Sequence, residues 1–373
     1  MTLKAAPRHL ALDVLRGMTV CFMIIVNSAG SGADPFAPLQ HASWHGFTPT
    51  DLVFPTFLFV VGNAMAFSMT NFEHLSNKIV IWKILKRTTI IFLLGFLLYW
   101  FPFVSISESG AWSLSPLSNT RIPGVLQRIG LCYGIAALMI RFLSKKQVVF
   151  ISIIFLLGYW LLLYLGGDYT LTGNLVLKID KWLFGESHLY HGEGLAFDPE
   201  GMLSTIPAVV NVIMGYHAGM LIRTKGNTFE TVAKIMLAGA SMLFIAYAWD
   251  HAFPINKKLW TSPFVLHTSG LALMILGGLI YLIGIMGWKK GTCFFEVFGK
   301  NPLFIYLLSE LIVISLWTFK NKNQQPLYEA VNEKFFQSIA PGPWGSLAFA
   351  VSVMILCWSA GWIMNKRKLY IRV

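Results

Sequence analysis

Long apolar segments alternate with short polar segments along the whole chain, and this alternation predicts a bundle of membrane-spanning helices. A helix needs about 20 residues to cross the hydrocarbon core of a bilayer, and ten segments reach or approach that length. The predicted spans are 10–29, 52–70, 84–104, 124–143, 147–166, 202–222, 230–249, 263–285, 301–318 and 344–364. A shorter apolar run, 292–299, predicts a half-helix before the ninth span.

Composition supports the same fold class. Of the 373 residues, 55% are hydrophobic and 12% are charged, whereas soluble domains carry about 25% charged residues. We therefore predict an all-α polytopic membrane protein with one transmembrane domain over 1–373, and exclude soluble two-domain folds. The first apolar run has no small-residue cleavage motif, so it predicts a first span and not a signal peptide. The four cysteines lack metal-ligand spacing and predict neither a metal site nor a disulfide framework.

The distribution of basic residues predicts the orientation in the membrane. Of the 29 lysines and arginines, 20 fall on the side of the termini and 9 on the other side. Basic loops stay in the cytoplasm, so we expect both termini inside and the net charge of +12 to reflect membrane topology, with no nucleic-acid partner. The longer loops, expected outside, are 28–51, 105–123, 167–201, 250–262 and 319–343. The sequence has no Asn-x-Ser/Thr glycosylation sequon that would indicate a glycosylated lumenal face, so a bacterial inner membrane is the expected location. Membrane lipid and a second copy of the chain are candidate partners.

The loop from His41 to Asp51 carries two histidines and a carboxylate between two predicted spans. Such groups near a bilayer usually have a function, and the absence of Lys and Arg predicts that this loop faces the periplasm. Asp51 is expected to orient the His41 imidazole or to cap the second helix. Gly46 and Pro49 disfavour the helix that would bring His41 and His45 together on zinc, and no third ligand is evident.

Two sites in the first span combine polar groups with apolar surroundings. Asp13 and Arg16 lie three residues apart on one helical face, which predicts either a structural ion pair or an anchor for an anionic ligand. Asn27, at the outer end of the same span, is expected either to cap the helix or to donate a hydrogen bond to a polarised carbonyl oxygen.

Two further segments combine charge with a position near the outer surface. Arg128 opens the fourth span and would be costly in lipid, so we expect it to face the bundle and to pair with a carboxylate such as Asp51 or Glu310. The segment 256–263 predicts a loop that contacts a sugar or an anion, although a solvated run of charge explains it equally well.

The string His-Ala-Ser-Trp-x-Gly-x-Thr-x-x-Asp-Leu-Val-Phe-Pro, from His41 to Pro55, resembles a signature of the heparan-alpha-glucosaminide N-acetyltransferase family and its bacterial relatives. The chain resembles that family in the same order at 12–17, 26–27, 54–55, 61–62, 124–129, 198–201, 256–261 and 299–303. The resemblance covers most of the chain from about residue 12 to residue 310. It implies that this chain lacks the N-terminal lumenal domain and first span of the lysosomal enzyme.

This resemblance implies transfer of the acetyl group of cytosolic acetyl-CoA to the amine of a terminal glucosamine, on a heparan-type saccharide across the membrane. It implies His41, Asn27 and Asp51 as catalytic residues, and no metal. We assign acetyl-CoA contacts to Asp13, Arg16 and Arg128, and saccharide contacts to Trp44, His45, Lys258 and Trp260. Position 45 is Asn in the lysosomal enzyme, so His45 departs from the pattern and is expected to shift acceptor preference.

The expected chemistry needs a base, because only a neutral amine attacks a thioester. A positioned base contributes about 10²–10⁴-fold, and imidazole titrates close to neutral pH, which makes His41 the candidate. Transfer is either direct or through an acetylated His41. Two other functions remain open: O-acetylation of an envelope glycan, and transport of an amino sugar or glycan. The absence of an internal repeat weighs against the transporter.

Overall fold

The computed structural model describes residues 9–106 and 112–371. Positions 107–111 of the predicted loop 105–123, and Lys4, Arg8 and Arg372 of the charge count, lie outside the described residues. The helices are α1 Leu10–Asn27, α2 Val53–Ser68, α3 Asn77–Trp100, α4 Val125–Phe142, α5 Lys145–Gly166, α6 Leu175–Phe184, α7 Thr205–Lys225, α8 Phe229–Asp250, α9 Ser262–Leu279, α10 Thr292–Lys300, α11 Pro302–Thr318, α12 Leu327–Val331, α13 Gln337–Ile339 and α14 Pro343–Lys366. Strands β1 Val104–Ile106 and β2 Trp112–Leu114 form an antiparallel hairpin.

Membrane-length helices make up most of this fold, which confirms the all-α polytopic class. Eight helical stretches in the described part of the chain are long and apolar enough to cross a membrane, and they contain α1, α2, α4, α5, α7, α8, α9 and α14. The pair α10 and α11 would form a ninth span, bent by 84° at the break between Lys300 and Pro302. The predicted half-helix at 292–299 is therefore present as α10.

Helix α3 differs from its predicted span at its start. Its 24 residues begin at Asn77, whereas the apolar run begins at residue 84. The omitted residues, 77–83, include Lys78 and Lys83, so an apolar criterion starts the span after them. Long basic side chains can lay their methylene groups along apolar surface and keep their charge near water, so such a helix can still continue into the membrane boundary.

Close backbone contact between α2 and α7 forms the centre of the bundle. A Cβ atom on Gly62 would lie 1.8 Å from the carbonyl oxygen of Val212, and one on Gly215 would lie 1.8 Å from that of Phe59. Only glycine fits at such crossings, as in other membrane helix pairs. Around this pair, α8 packs on α9, α3 on α4 and α1 on α10.

The chain direction gives the bundle two functional faces. We call one the His41 face; it contains residues 28–52, 167–204 and 251–261, which follow α1, α5 and α8. The opposite, Arg16 face contains the start of α1, the end of α2 and the bend between α10 and α11. Helix α6 lies within the predicted loop 167–201, and α12 and α13 lie within the predicted loop 319–343, so these loops are more ordered than predicted.

Candidate active site

Asp51 is held by the turn that starts the second span. Thr48 precedes a single 3₁₀ turn, Pro49–Leu52, and its backbone N–H donates to Oδ2 of Asp51 at 3.0 Å. The N–H of Ala42 donates to the same oxygen at 3.1 Å. These donors stabilise the ionised carboxylate, and they leave Oδ1 for another partner.

That partner is His41, as the sequence predicted. Nδ1 of His41 lies 2.6 Å from Oδ1 of Asp51. The Asp51 side chain is 0% exposed and that of His41 is 42% exposed, so the carboxylate is buried beneath an accessible imidazole. A carboxylate accepts the Nδ1 hydrogen, which leaves the lone pair on Nε2. The arrangement suits a base whose free nitrogen faces a ligand.

Lys257 is next to that free nitrogen. Its Nζ lies 3.3 Å from Nε2 of His41. An ammonium group has only donors, so this contact and the Asp51 contact select the same imidazole tautomer. The sequence singled out the segment 256–263 but assigned the neighbouring lysine to the site. Adjacent lysines look alike in a sequence, and only the turn of the backbone decides which one faces His41.

The loop that carries Lys257 is fixed by Asn256. The side-chain oxygen of Asn256 accepts the N–H of Leu259 at 2.8 Å, and its carbonyl oxygen accepts the N–H of Thr261 at 3.1 Å. The backbone at Trp260 is left-handed, with φ of 53°. A strained turn of this kind persists only where its surroundings hold it, so the position of Lys257 is a property of the folded loop.

The His41 loop docks directly on this turn. The N–H of Gly46 donates to the carbonyl oxygen of Ile255 at 2.8 Å, and His45 Nδ1 lies 3.4 Å from Nδ2 of Asn256. Lys258 donates to the carbonyl oxygen of Ser43 at 2.7 Å. His45 is exposed, four residues along the loop from His41.

Trp44 and Lys258 connect the site to the loop 167–201. The indole N–H of Trp44 donates to the carbonyl oxygen of Tyr169 at 2.7 Å, and its ring meets Phe197 edge to face. Lys258 forms a 2.5 Å ion pair with Glu193. Both residues were predicted to contact a saccharide; in the structure they join the loops that surround His41.

Arg128 and Trp260 lie deeper than predicted. Arg128 donates to the carbonyl oxygen of Gly201 at 3.0 Å and to the hydroxyl of Ser204, and its guanidinium covers the Trp260 ring at 4.7 Å. The predicted partners, Asp51 and Glu310, were therefore wrong. Arg128 is 1% exposed and Trp260 is 0% exposed. Full burial does not fit direct contact with acetyl-CoA or a saccharide. Both side chains instead pack beneath the loops 185–204 and 251–261 and hold them in place.

A second charged cluster, which the sequence did not predict, holds loops of the His41 face together. Arg121 makes a bidentate pair with Asp198 at 2.7 Å and also binds Glu200 at 2.7 Å. Its guanidinium lies between the rings of Tyr99 and Tyr190. The positive charge of Arg121 keeps the pKa of Glu200 below its usual value against the opposing effect of burial. The Asp198-Pro199-Glu200 string was visible in the sequence, but nothing there indicated its partner.

Asn27 is separate from the imidazole in this structure. Its side-chain nitrogen donates to Oε1 of Glu310 at 3.1 Å, across to α11. Its side chain makes no hydrogen bond with His41, Asp51 or Lys257, all of which lie in the described residues. Its predicted role as a donor to a carbonyl oxygen remains a prediction.

A cavity of about 350 Å³ lies within the bundle and extends inward from the Arg16 face. Its basic lining residues are Arg16, Arg87 and Lys300. Apolar side chains from Phe57 on α2 and Leu126 on α4 line the part that points toward the His41 face. Phe57 is six residues from Asp51, or ~9 Å along the chain at the helical rise, so the cavity extends toward the end of α2 that follows Asp51.

Asp13 and Arg16 form the ion pair that their spacing predicted, at 3.0 Å. Arg16 also donates to the carbonyl oxygen of Gly299 at 3.1 Å, which ties α1 to the end of α10. Arg16 lines the cavity, and Asp13 acts on it through this pair. In the described ranges, no group of three or more His, Cys, Asp or Glu side chains could hold a metal.

Two proteins are similar to this chain over most of its length. The heparan-alpha-glucosaminide N-acetyltransferase of Homo sapiens is 30% identical over 365 residues, and that of Mus musculus is 29% identical over 369 residues. The alignments cover 82% and 83% of this chain. They cover 53% and 54% of the relatives, so the chain spans about half the length of the curated relatives it matches. No family model matches the chain.

Proposed function

Because this chain belongs to the heparan-alpha-glucosaminide N-acetyltransferase family, we propose that it is a transmembrane acetyltransferase. In this proposal acetyl-CoA is the donor, and the amine of a terminal glucosamine on a heparan-type saccharide is the acceptor. The observations that carry the proposal are a buried carboxylate that holds an accessible imidazole on the His41 face, and a cavity with basic lining residues at the Arg16 face.

The cavity fits the donor in chemistry and in direction. Phosphate groups need cations, and Arg16, Arg87 and Lys300 supply three at one end. The lining from Phe57 to Ser68 extends over twelve residues of α2, a rise of ~16 Å between that end and the His41 face. A flexible arm with an acyl thioester at its tip suits a long apolar cavity of this kind. Asp13 and Arg16 would act as one unit at the phosphates.

We infer the sidedness of the reaction from the charge bias. The Arg16 face carries most of the basic residues, which favours a cytoplasmic location for that face and a periplasmic location for His41. We propose the inner membrane of a bacterium as the site of action. The donor would then enter from the cytoplasm, and the acceptor would be acetylated without either substrate crossing the membrane.

His41 would act as the general base. Nε2 takes the proton of the attacking amine, and Asp51 holds the tautomer and stabilises the positive charge that forms on the ring. As the C–N bond forms, the carbonyl oxygen becomes negative and a tetrahedral intermediate results. When this intermediate collapses, the C–S bond breaks and the proton on Nε2 passes to the leaving thiolate. Asn27 would donate to the carbonyl oxygen through the amide hydrogen that Glu310 does not use.

The acceptor would lie on the exposed rim of the His41 loop. His45 and Trp44 stand beside His41, and Lys258 links them to Glu193. These side chains are proposed to contact the sugar or its neighbouring anionic groups. The deeply buried Arg128 and Trp260 would act indirectly, because they hold the Lys257 loop in position.

The test is mass spectrometry of products from purified protein and isotopically labelled acetyl-CoA. Glucosamine and heparin-derived fragments with a free terminal amine should gain the labelled acetyl group, with release of CoA. Sugars that offer only hydroxyl groups are the matched control. Labelling of the hydroxyl sugars alone would favour O-acetylation, and movement of glucosamine into liposomes without CoA release would indicate a transporter.

A further inference from the structure

Lys257 is the cation nearest to the proposed reaction centre among the described residues. Its ammonium lies 3.3 Å from Nε2 of His41. It forms no ion pair within 4.0 Å with a described carboxylate, whereas the adjacent Lys258 is paired with Glu193 at 2.5 Å. The two lysines therefore differ in their surroundings. The charge of Lys258 is balanced by Glu193, whereas the charge of Lys257 faces the imidazole of His41.

We propose that Lys257 is a further catalytic residue, whose ammonium group binds the carbonyl oxygen of the acetyl donor as negative charge develops on it. This inference rests on the proposed acetyl transfer. The amine that loses its proton to Nε2 must lie within about 3 Å of that nitrogen. The attacking amine would take the place of Lys257 at Nε2, and the carbonyl oxygen, two bonds away from that amine, would come within reach of the displaced Nζ of Lys257.

The step conserves atoms and charge. The amine nitrogen forms a bond to the carbonyl carbon, the C=O π electrons move to oxygen, and Nε2 of His41 takes one amine proton. Lys257 donates a hydrogen bond to the oxygen and keeps its own proton. The C–S bond then breaks, the carbonyl reforms, and the imidazolium returns its proton to sulfur. Fixed positive charge aimed at such an oxygen stabilises the transition state more than the ground state.

The surroundings of Lys257 limit the pH range in which it can act. Burial lowers the pKa of Lys257 from its ordinary value, and the negative charges of Glu200 and Asp51 oppose that shift. The positive charges of Lys258 and Arg128 add to the lowering, and the His41 imidazole faces Nζ directly. The ammonium form is present below this lowered pKa, so turnover should fall as the pH rises through it.

The experiment compares steady-state turnover of purified full-length wild type, Lys257→Met and Lys257→Arg with acetyl-CoA and glucosamine. Lys257→Met should lower kcat about 10²–10³-fold, with the KM for glucosamine changed much less. Lys257→Arg should retain part of the activity and extend it to higher pH, because guanidinium stays protonated there. Lys178→Met removes an exposed lysine near the same face and should behave as wild type.

Four outcomes decide the matter. Wild-type kcat in Lys257→Met, with acetyl-CoA binding and thermal unfolding unchanged, would overturn the inference. So would a defect limited to the KM of acceptors that carry a uronate or sulfate, since Lys257 would then bind the acceptor. If wild type does not acetylate glucosamine at all, the proposed function itself fails. If Lys257→Met does not fold, Lys257→Gln and the pH profiles of wild type and Lys257→Arg give the same test, and identical profiles would contradict the inference.

Discussion

Asp51 and Asp13 each pair with a basic side chain, at opposite faces of the bundle, but the two carboxylates have different surroundings. Asp51 is fully buried, receives two backbone N–H groups and holds an imidazole that is 42% exposed. The side chains of Asp13 and Arg16 are 18% and 21% exposed and belong to one helix. The first pair fixes the geometry of a proton acceptor; the second presents charge at the end of a cavity. We therefore expect the first to control turnover and the second to control donor affinity.

The largest effect is expected for His41→Ala. Loss of the base should lower kcat by about 10²–10⁴-fold, whereas acetyl-CoA binding should persist because the cavity is intact. The release of CoA measures kcat, and calorimetry measures the affinity for acetyl-CoA separately. Near wild-type turnover would exclude His41 as the base.

Asp51→Asn should have a smaller effect, about 10²-fold on kcat. An amide can donate to Nδ1, which would move the ring hydrogen to Nε2 and occupy the nitrogen that must accept a proton. If kcat stays at wild type, the pair is only a cap for α2.

Asn27→Ala should reduce kcat by roughly 30-fold, with little change in acetyl-CoA binding. The neutral amide would share the carbonyl oxygen with Lys257, so its loss should cost less than the loss of the ammonium. Glu310→Gln is the matched variant, since it removes the carboxylate partner of Asn27 without removing Asn27. A defect of equal size in both variants would point to a structural contact between α1 and α11.

Arg16→Ala should have the smallest effect on turnover at saturating donor. Loss of a charge-assisted contact with phosphate should weaken acetyl-CoA binding roughly tenfold and leave kcat unchanged. Asp13→Ala serves as the comparison, because it removes the carboxylate partner of Arg16 and leaves Arg16 itself in place. Unchanged affinity in Arg16→Ala would make this pair purely structural, and the difference between the two faces would then be one of burial alone.

Local sequence predicted one half of the site better than the other. His41 and Asp51 lie ten residues apart in one loop, so their pairing depends on a short chain segment and was predictable. The break before Pro302 was also predictable, because proline begins a new helix. The predicted span for helix α3 started too late, because an apolar criterion leaves out its first residues, 77–83, which include two lysines.

Contacts between distant segments were not predictable in the same way. Arg128 donates to the carbonyl oxygen of Gly201 and to the hydroxyl of Ser204, and to no carboxylate. Both partners lie more than 70 residues away along the chain. Which of Lys257 and Lys258 meets His41 depends on the left-handed turn at Trp260, which packing on α7 and α9 maintains. No pattern in the surrounding residues carries that information.

The bend between α10 and α11 also fixes the last described segment of the chain. Asn301 donates to the carbonyl oxygen of Leu369 at 3.0 Å and accepts the N–H of Ile371 at 2.9 Å. Ile371 lines the same cavity as Arg16 and Lys300. An affinity tag or a fluorescent protein fused after this segment would therefore lie next to the cavity. A tag inserted elsewhere is the safer choice for kinetic measurements.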